Sequence, residues 1–339
     1  MIMNNVKRES NIELLRIIAM LLVLFDHVGY IALNPPSAND LYTDPILSFG
    51  RFNQQAITTV AVNVFVLISG WFGIRFRLSR VLELLFQTYF ICFSVYLFLL
   101  LFHFTTPMSV REWLNFLVFD DLWFVKAYLV MYLFAPMMNS YIDTIRQKQF
   151  LFFIIAFYLL QTIHGFLTTT TLWFKEGMSP LSLMGIYMIG RYMRKYPKRL
   201  VGHSKLVYFT TFAALTLITA SLSYVSVKCG AEGYRFYSYA SPLIILSAIS
   251  FFLFFSKLSF SSRIVNWVAA SSFSAYVLHS EPHAFKKYLS TVVLWWNSNP
   301  TCVFYLKVIM GVFCIFTVSI LLDKVRIFLW SKLSNTVTS

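Results

Sequence analysis

Residues 12–32 read IELLRIIAMLLVLFDHVGYIA, an apolar run of 21 residues that carries Glu13, Arg16, Asp26 and His27 within it. At 1.5 Å per residue a helix of this length covers about 30 Å, the thickness of a bilayer's hydrocarbon core. No small-residue cleavage site follows the run, so it reads as a retained span and not as a removed leader.

Working outward, nine further apolar stretches are read as spans: 56–74, 81–104, 122–139, 150–168, 180–193, 205–227, 237–256, 265–284 and 303–323. Of the 339 residues 58% are hydrophobic and only 12% are charged, whereas an ordinary soluble domain is about a quarter charged. A backbone amide left unpaired in lipid costs several kcal/mol, so the spans must be helices. The expected fold is all-α: a polytopic bundle of about ten transmembrane helices forming one integral-membrane domain over 1–339, with no room for a fused soluble domain. The longest connection, roughly 33–55, contains Pro35, Pro36, Asn39 and Asp40 and reads as an outer lid or a solvated loop. Four cysteines show neither CxxC nor metal-ligand spacing, which argues against a disulfide framework and against a metal site.

The formal net charge is +14. In a soluble chain this would raise the question of nucleic acid. Here eighteen of the 28 basic residues fall in alternate connections, including Lys7, Arg8, Arg75, Arg77, Arg80, Lys198, Arg199 and Arg326. Seven fall in the opposite set, among them Arg51, Arg111 and Lys175. Basic residues concentrate on the cytoplasmic side of membrane proteins. The bias therefore places both termini in the cytoplasm and removes the reason to expect a nucleic-acid partner.

Ionisable residues inside a span are costly and call for an explanation. Arg16 and His27 are eleven residues apart, which puts them on one helix face about 16 Å apart along the axis. Arg16 would then lie near the cytoplasmic end, with Glu13 three residues before it and able to pair, and His27 in the outer half. A donor with an anionic head and a long arm could rest its phosphates near Arg16 and reach His27 with its reactive end. A neutral imidazole is the usual general base for a hydroxyl near neutral pH. Asp26 is about 100° round the helix, so that it orients the ring cannot be assumed. The plainer alternatives are an Arg16 that snorkels to the headgroups and a buried His27 satisfied by a carbonyl. His279 shares a face with Tyr276 and Ser272. It reads as an acceptor contact or as a packed histidine hydrogen-bonded to Tyr276. Lys126 reads as snorkelling, and Trp123, Trp295 and Trp296 as interfacial.

Several of these pieces occur together in a known order. Glu13-Leu-Leu-Arg16 followed by ten residues and His27 resembles the first-helix Arg/Lys-X10-His motif of the membrane-bound acyltransferase 3 family. Val64-Phe-Val-Leu-Ile-Ser69-Gly70-Trp71 resembles the family's apolar Ser-Gly-aromatic signature, with Trp71 where Phe or Tyr is commoner. Arg77-Leu-Ser-Arg80 is similar to its basic RxxR element, here preceded by Arg75. Leu122-Trp123-Phe124 through Tyr132 to Pro136 is similar to its Trp-aromatic helix, and Ser274-Ala-Tyr276-Val-Leu-His279 to its late Ser-X-Tyr-X-X-His stretch. The resemblance covers roughly residues 9–285.

The resemblance implies acyl transfer, commonly of acetyl from acetyl-CoA, to sugars of surface or exported polysaccharides. It implies that His27 is the catalytic base and that Arg16 fills the first-helix basic role. Arg77 and Arg80 would bind the CoA phosphates, and Ser69 and Gly70 would shape the donor channel. Tyr276 and His279 are candidate acceptor contacts, and no metal is implied. The expected protein is a bacterial inner-membrane, multi-pass O-acyltransferase. Its donor would be acyl-CoA, its acceptor a saccharide or lipid-linked saccharide, and its surroundings membrane lipid. From another class comes a transporter or flippase for a lipid-linked saccharide with Arg16 and His27 lining its path, although no repeat halves or paired broken helices are visible. A third reading is a non-catalytic partner in a polysaccharide-assembly complex.

Overall fold

The computed structural model describes residues 9–168, 172–197 and 202–337. Lys7, Arg8, Lys198 and Arg199, counted above for topology, lie outside the described residues. Among the described residues the chain is helical with no strand. Within the described residues, seven helices are long and apolar enough to cross a membrane: Ser10–Ala32, Pro45–Phe72, Leu78–Leu101, Gln147–Leu167, Lys205–Lys228, Gly233–Ser256 and Thr301–Leu333. Each overlaps one of the apolar runs read from the sequence.

The helices that position the site are few. The first, α1, runs from Ser10 to Asp26 and continues as a wider π-helical turn over His27–Ala32. After a short α2 (Ala38–Thr43) come α3 (Pro45–Thr58) and α4 (Val60–Phe72). The 33–55 stretch is thus mostly helix, not an irregular lid or loop. Ser37 and Asp40 form a capping box, and the Asp44 carboxylate accepts from the Leu47 amide ahead of Pro45, so two helix starts are encoded there. Next are α5 (Leu78–Leu101), α6 (Val110–Leu117), α7 (Trp123–Thr144), α8 (Gln147–Gln161), α9 (Pro180–Lys195), α10 (Lys205–Lys228) and α11 (Pro242–Ser256).

The expected span 265–284 is not one helix. It is broken into α12 (Arg263–Ala269), α13 (Phe273–His279) and the start of α14 (Pro282–Ser298). The Ser272 hydroxyl donates to the Ala269 carbonyl, and that of Ser274 to the carbonyls of Ser271 and Ser319. Such side-chain bonds compete with the helical ladder, and Pro282 has no amide to continue it. The last helix, α15, spans Thr301–Val337.

Helix α1 packs against α3, α4, α11, α12, α13 and α15, which makes it the hub of the bundle. Helices α4 and α9 cross at very close range through paired glycines. A Cβ on Gly70 would run into the Tyr187 carbonyl oxygen, and one on Gly190 would lie 2.6 Å from that of Leu67. The absence of side chains lets the two backbones touch, as membrane helices often do.

Overpacking of this kind costs roughly 1–3 kcal/mol. Gly70→Ala is expected to lower the thermal unfolding midpoint of the detergent-purified protein. Gly50→Ala, where an added Cβ meets nothing within 4 Å, should hold or raise it. Equal midpoints for the two variants would refute the close-contact account.

Candidate functional site

The C-terminal end of α1 carries the sharpest chemistry. His27 opens the π turn, a type of local widening that often marks functional positions. Its Nδ1 lies 2.7 Å from Nε2 of His279 on α13. In turn Nδ1 of His279 lies 2.8 Å from the Ala275 carbonyl oxygen. A carbonyl only accepts, so His279 carries its hydrogen on Nδ1 and, as a neutral ring, offers a lone pair at Nε2. His27 must then donate from Nδ1, and its Nε2 is left with a lone pair. The bonding pattern assigns both tautomers. His279 is buried and His27 half-buried, with the Phe285 ring set edge-on to His27 at 5.1 Å between centroids.

His279 is therefore not a packed histidine bonded to Tyr276. It is the group that orients His27, and the Tyr276 ring lies edge-on to it at 6.1 Å. Asp26 plays no part in this pair. Its Oδ1 accepts from Gln55 Nε2 at 2.9 Å and from the hydroxyls of Thr58 and Thr59 at 2.8 and 3.1 Å. That carboxylate ties α1 to α3 and to the α3–α4 junction.

Towards the other end of α1 lies a cavity of about 340 Å³ whose walls include Arg16, Ser69, Arg80, Tyr128, Phe273 and Arg326. Arg16 pairs with Glu13 at 3.0 Å, as the i, i+3 spacing predicted. Arg80 pairs with Glu83 at 2.7 Å. The Ser69 hydroxyl is within 3.2 Å of both the Phe65 carbonyl and the Tyr128 hydroxyl, so it faces the cavity in a fixed position.

Two residues assigned to the donor by resemblance stand elsewhere. Arg77 is exposed and does not line the cavity. Its amide donates to the Tyr132 hydroxyl at 3.3 Å, and that hydroxyl donates to the Arg75 carbonyl at 3.1 Å. Gly70 faces α9 instead, so it serves the Ser69 side chain through helix packing. The loop between α4 and α5 is pinned further by Asn139 and Tyr187. These bond the carbonyl and amide of Ile74 at 2.8 and 2.9 Å and each other at 2.8 Å.

The cavity and the histidine pair are joined by α13. Phe273 in the cavity wall and His279 are six residues apart, about 9 Å along the helix. Aromatic rings fill the interval: Phe65 stacks on Phe273 at 5.9 Å and Phe124 meets Tyr276 edge-on at 5.7 Å. Sequence reading missed the cavity's last-helix wall. Arg326 was counted only as a topological charge, although Asp323 three residues before it at the end of an apolar run was the available signal.

The family model for the acyltransferase domain of the acyltransferase 3 group matches residues 9–324. The chain belongs to this family and is a multi-pass membrane acyltransferase. No curated protein and no solved structure matches it.

The tautomer assignment can be tested directly. In protein labelled with ¹⁵N-histidine, His27 should show a protonated Nδ1 and an unprotonated Nε2. His279→Phe should abolish that preference. A protonated Nε2 at His27 in the wild type would refute the assignment.

Proposed function

We propose that the protein transfers an acyl group, acetyl in the first instance, from cytoplasmic acyl-CoA to a hydroxyl of a cell-surface or exported polysaccharide or its lipid-linked precursor. It would do so in the bacterial inner membrane with both termini cytoplasmic. The ten crossings of this reading include α7, α9 and the broken α12–α13–α14 segment. The observation that carries the proposal is the placement, on one helix, of an arginine that lines a polar cavity and a histidine whose Nε2 lone pair is left available by His279.

In this mechanism the acceptor hydroxyl gives its proton to His27 Nε2 while its oxygen attacks the thioester carbonyl. The tetrahedral intermediate collapses with cleavage of the C–S bond, the ester forms, and the leaving CoA thiolate takes the proton from His27 Nε2, which restores the neutral base. The charge arising on His27 is spread through Nδ1–H to His279, whose own Nδ1–H is held by Ala275. Arg16 and Arg80 would hold the donor phosphates, since a guanidinium fork bonds phosphate oxygens in pairs. Arg77 and Gly70 act through the loop and the helix crossing. Direct transfer needs no acyl-enzyme and no metal.

A second crevice supports a lipid-linked acceptor. It has a volume of about 590 Å³, is bordered by Phe98, Leu278, Trp295 and Val318, and ends on His279 with Lys287 beside it. An apolar tail in this crevice would bring its head group near His27.

General acid–base catalysis is worth roughly 10²–10⁴-fold. Surface-glycan acylation is to be measured by mass spectrometry in a deletion host complemented at equal membrane levels. It should return with wild type and fall by about that factor with His27→Ala. Restoration by both proteins would remove His27 from the chemistry. Altered glycan export with unchanged acylation would favour a transporter.

A further inference from the structure

The last helix brings into the donor cavity a charge that none of the sequence motifs includes. Arg326 stands on α15, two residues beyond the stretch that the family model matches. Its side chain is 3% exposed. A buried guanidinium is costly unless it is paired, so its partners are informative. Nε and Nη2 lie 2.9 and 2.8 Å from Asp323 Oδ1, and Nη1 donates to Glu83 Oε1 at 3.4 Å. Asp323 is fully buried, and the same Oδ1 also accepts from Gln87 Nε2 at 2.9 Å. The other oxygen of Glu83 accepts from Arg80 Nη1 at 2.7 Å.

One carboxylate thus holds two arginines, Arg80 from α5 and Arg326 from α15, on the wall of the cavity that Arg16 also lines. Gln87 and Asp323 also link α5 to α15, with Arg326 as the counter-charge of the buried Asp323, so the guanidinium is held rigidly on the cavity wall. A guanidinium has five N–H donors, more than the two carboxylates engage. Among the described residues, three of the four charged side chains lining this cavity are arginines, with Glu83 the fourth. Two guanidinium groups spaced by a shared carboxylate suit the oxygens of a phosphate.

We propose that Arg326 is a donor-binding residue, which together with Arg80 takes a phosphate of acyl-CoA, and that Glu83 is the positioning residue that spaces them. The proposal rests on the acyl-CoA reading above. It separates the two halves of the donor: the nucleotide phosphates meet Arg326, whereas the pantetheine arm and its thioester do not.

The test compares acetyl-CoA with S-acetylpantetheine, which carries the same thioester without phosphate, on the full-length protein in nanodiscs. Loss of a charge-assisted hydrogen-bond pair should raise the KM for acetyl-CoA ~10-fold or more in Arg326→Met, with kcat little changed. Both constants for S-acetylpantetheine should match the wild type. Arg326→Lys should fall between, since it keeps the charge but loses the fork. An equal effect on both donors, or on neither, would mean a structural clamp and overturn the proposal. If Arg326→Met fails to fold, by its thermal midpoint, Arg326→Lys carries the same comparison alone. A wild-type enzyme with the same KM for both donors would instead sink the acyl-CoA reading itself, before any variant is considered.

Discussion

The hydrogen bond between His27 and His279 joins residues 252 positions apart and is the contact on which the site depends. It lies within a bundle whose surroundings supply little water, so each polar side chain on α1 has to find its partner in the protein. Glu13 and Arg16 pair with each other, and the others find partners on different elements. Ser10 bonds Asn266 at 3.0 Å, Asn11 the Phe255 carbonyl at 3.1 Å, and Asp26 its three donors on α3 and the α3–α4 junction. The Tyr288 hydroxyl from α14 reaches the Leu24 carbonyl at 2.8 Å, just before the site. Polar satisfaction and helix assembly are therefore the same event for this helix. The price of keeping charges in α1 is met by contacts that also fix where His27 points.

The break between α12 and α13 has a functional sense in this frame. A continuous helix over 265–284 would carry one face from end to end. The serine-rich interruption instead lets Ala269, Ala270, Ser272 and Phe273 line the cavity while His279 turns to His27. The aromatic layer of Phe65, Phe124, Phe273 and Tyr276 lies between the two ends.

Motif membership and site membership also come apart. Ser69 and Gly70 are neighbours in sequence, yet a helix turns about 100° per residue, so one faces the cavity and the other Gly190. Arg77 and Arg80 are similarly divided: Arg77 precedes the first residue of α5 and serves the loop, and Arg80, one turn in, reaches the cavity. Arg326, outside every motif, reaches it as well.

Much was legible in the sequence because it depends on local chemistry. Apolar run length places the membrane helices, and the runs around Ile12 and Val81 need no partner to be recognised. The i, i+3 spacing of Glu13 and Arg16 dictates their pairing, and a separation of eleven residues puts Arg16 and His27 on one face. Ser37 and Asp44 carried the signals for helices in the stretch read as a loop, although apolar periodicity alone did not show them. What local chemistry cannot contain is which distant group meets a given side chain. His279 as the partner of His27, Gly190 as the reason for Gly70, and Glu83 as the link between Arg80 and Arg326 all require helices far apart in the chain to be packed together. Those pairings are decided by how the helices cross, and only the tertiary structure holds that information.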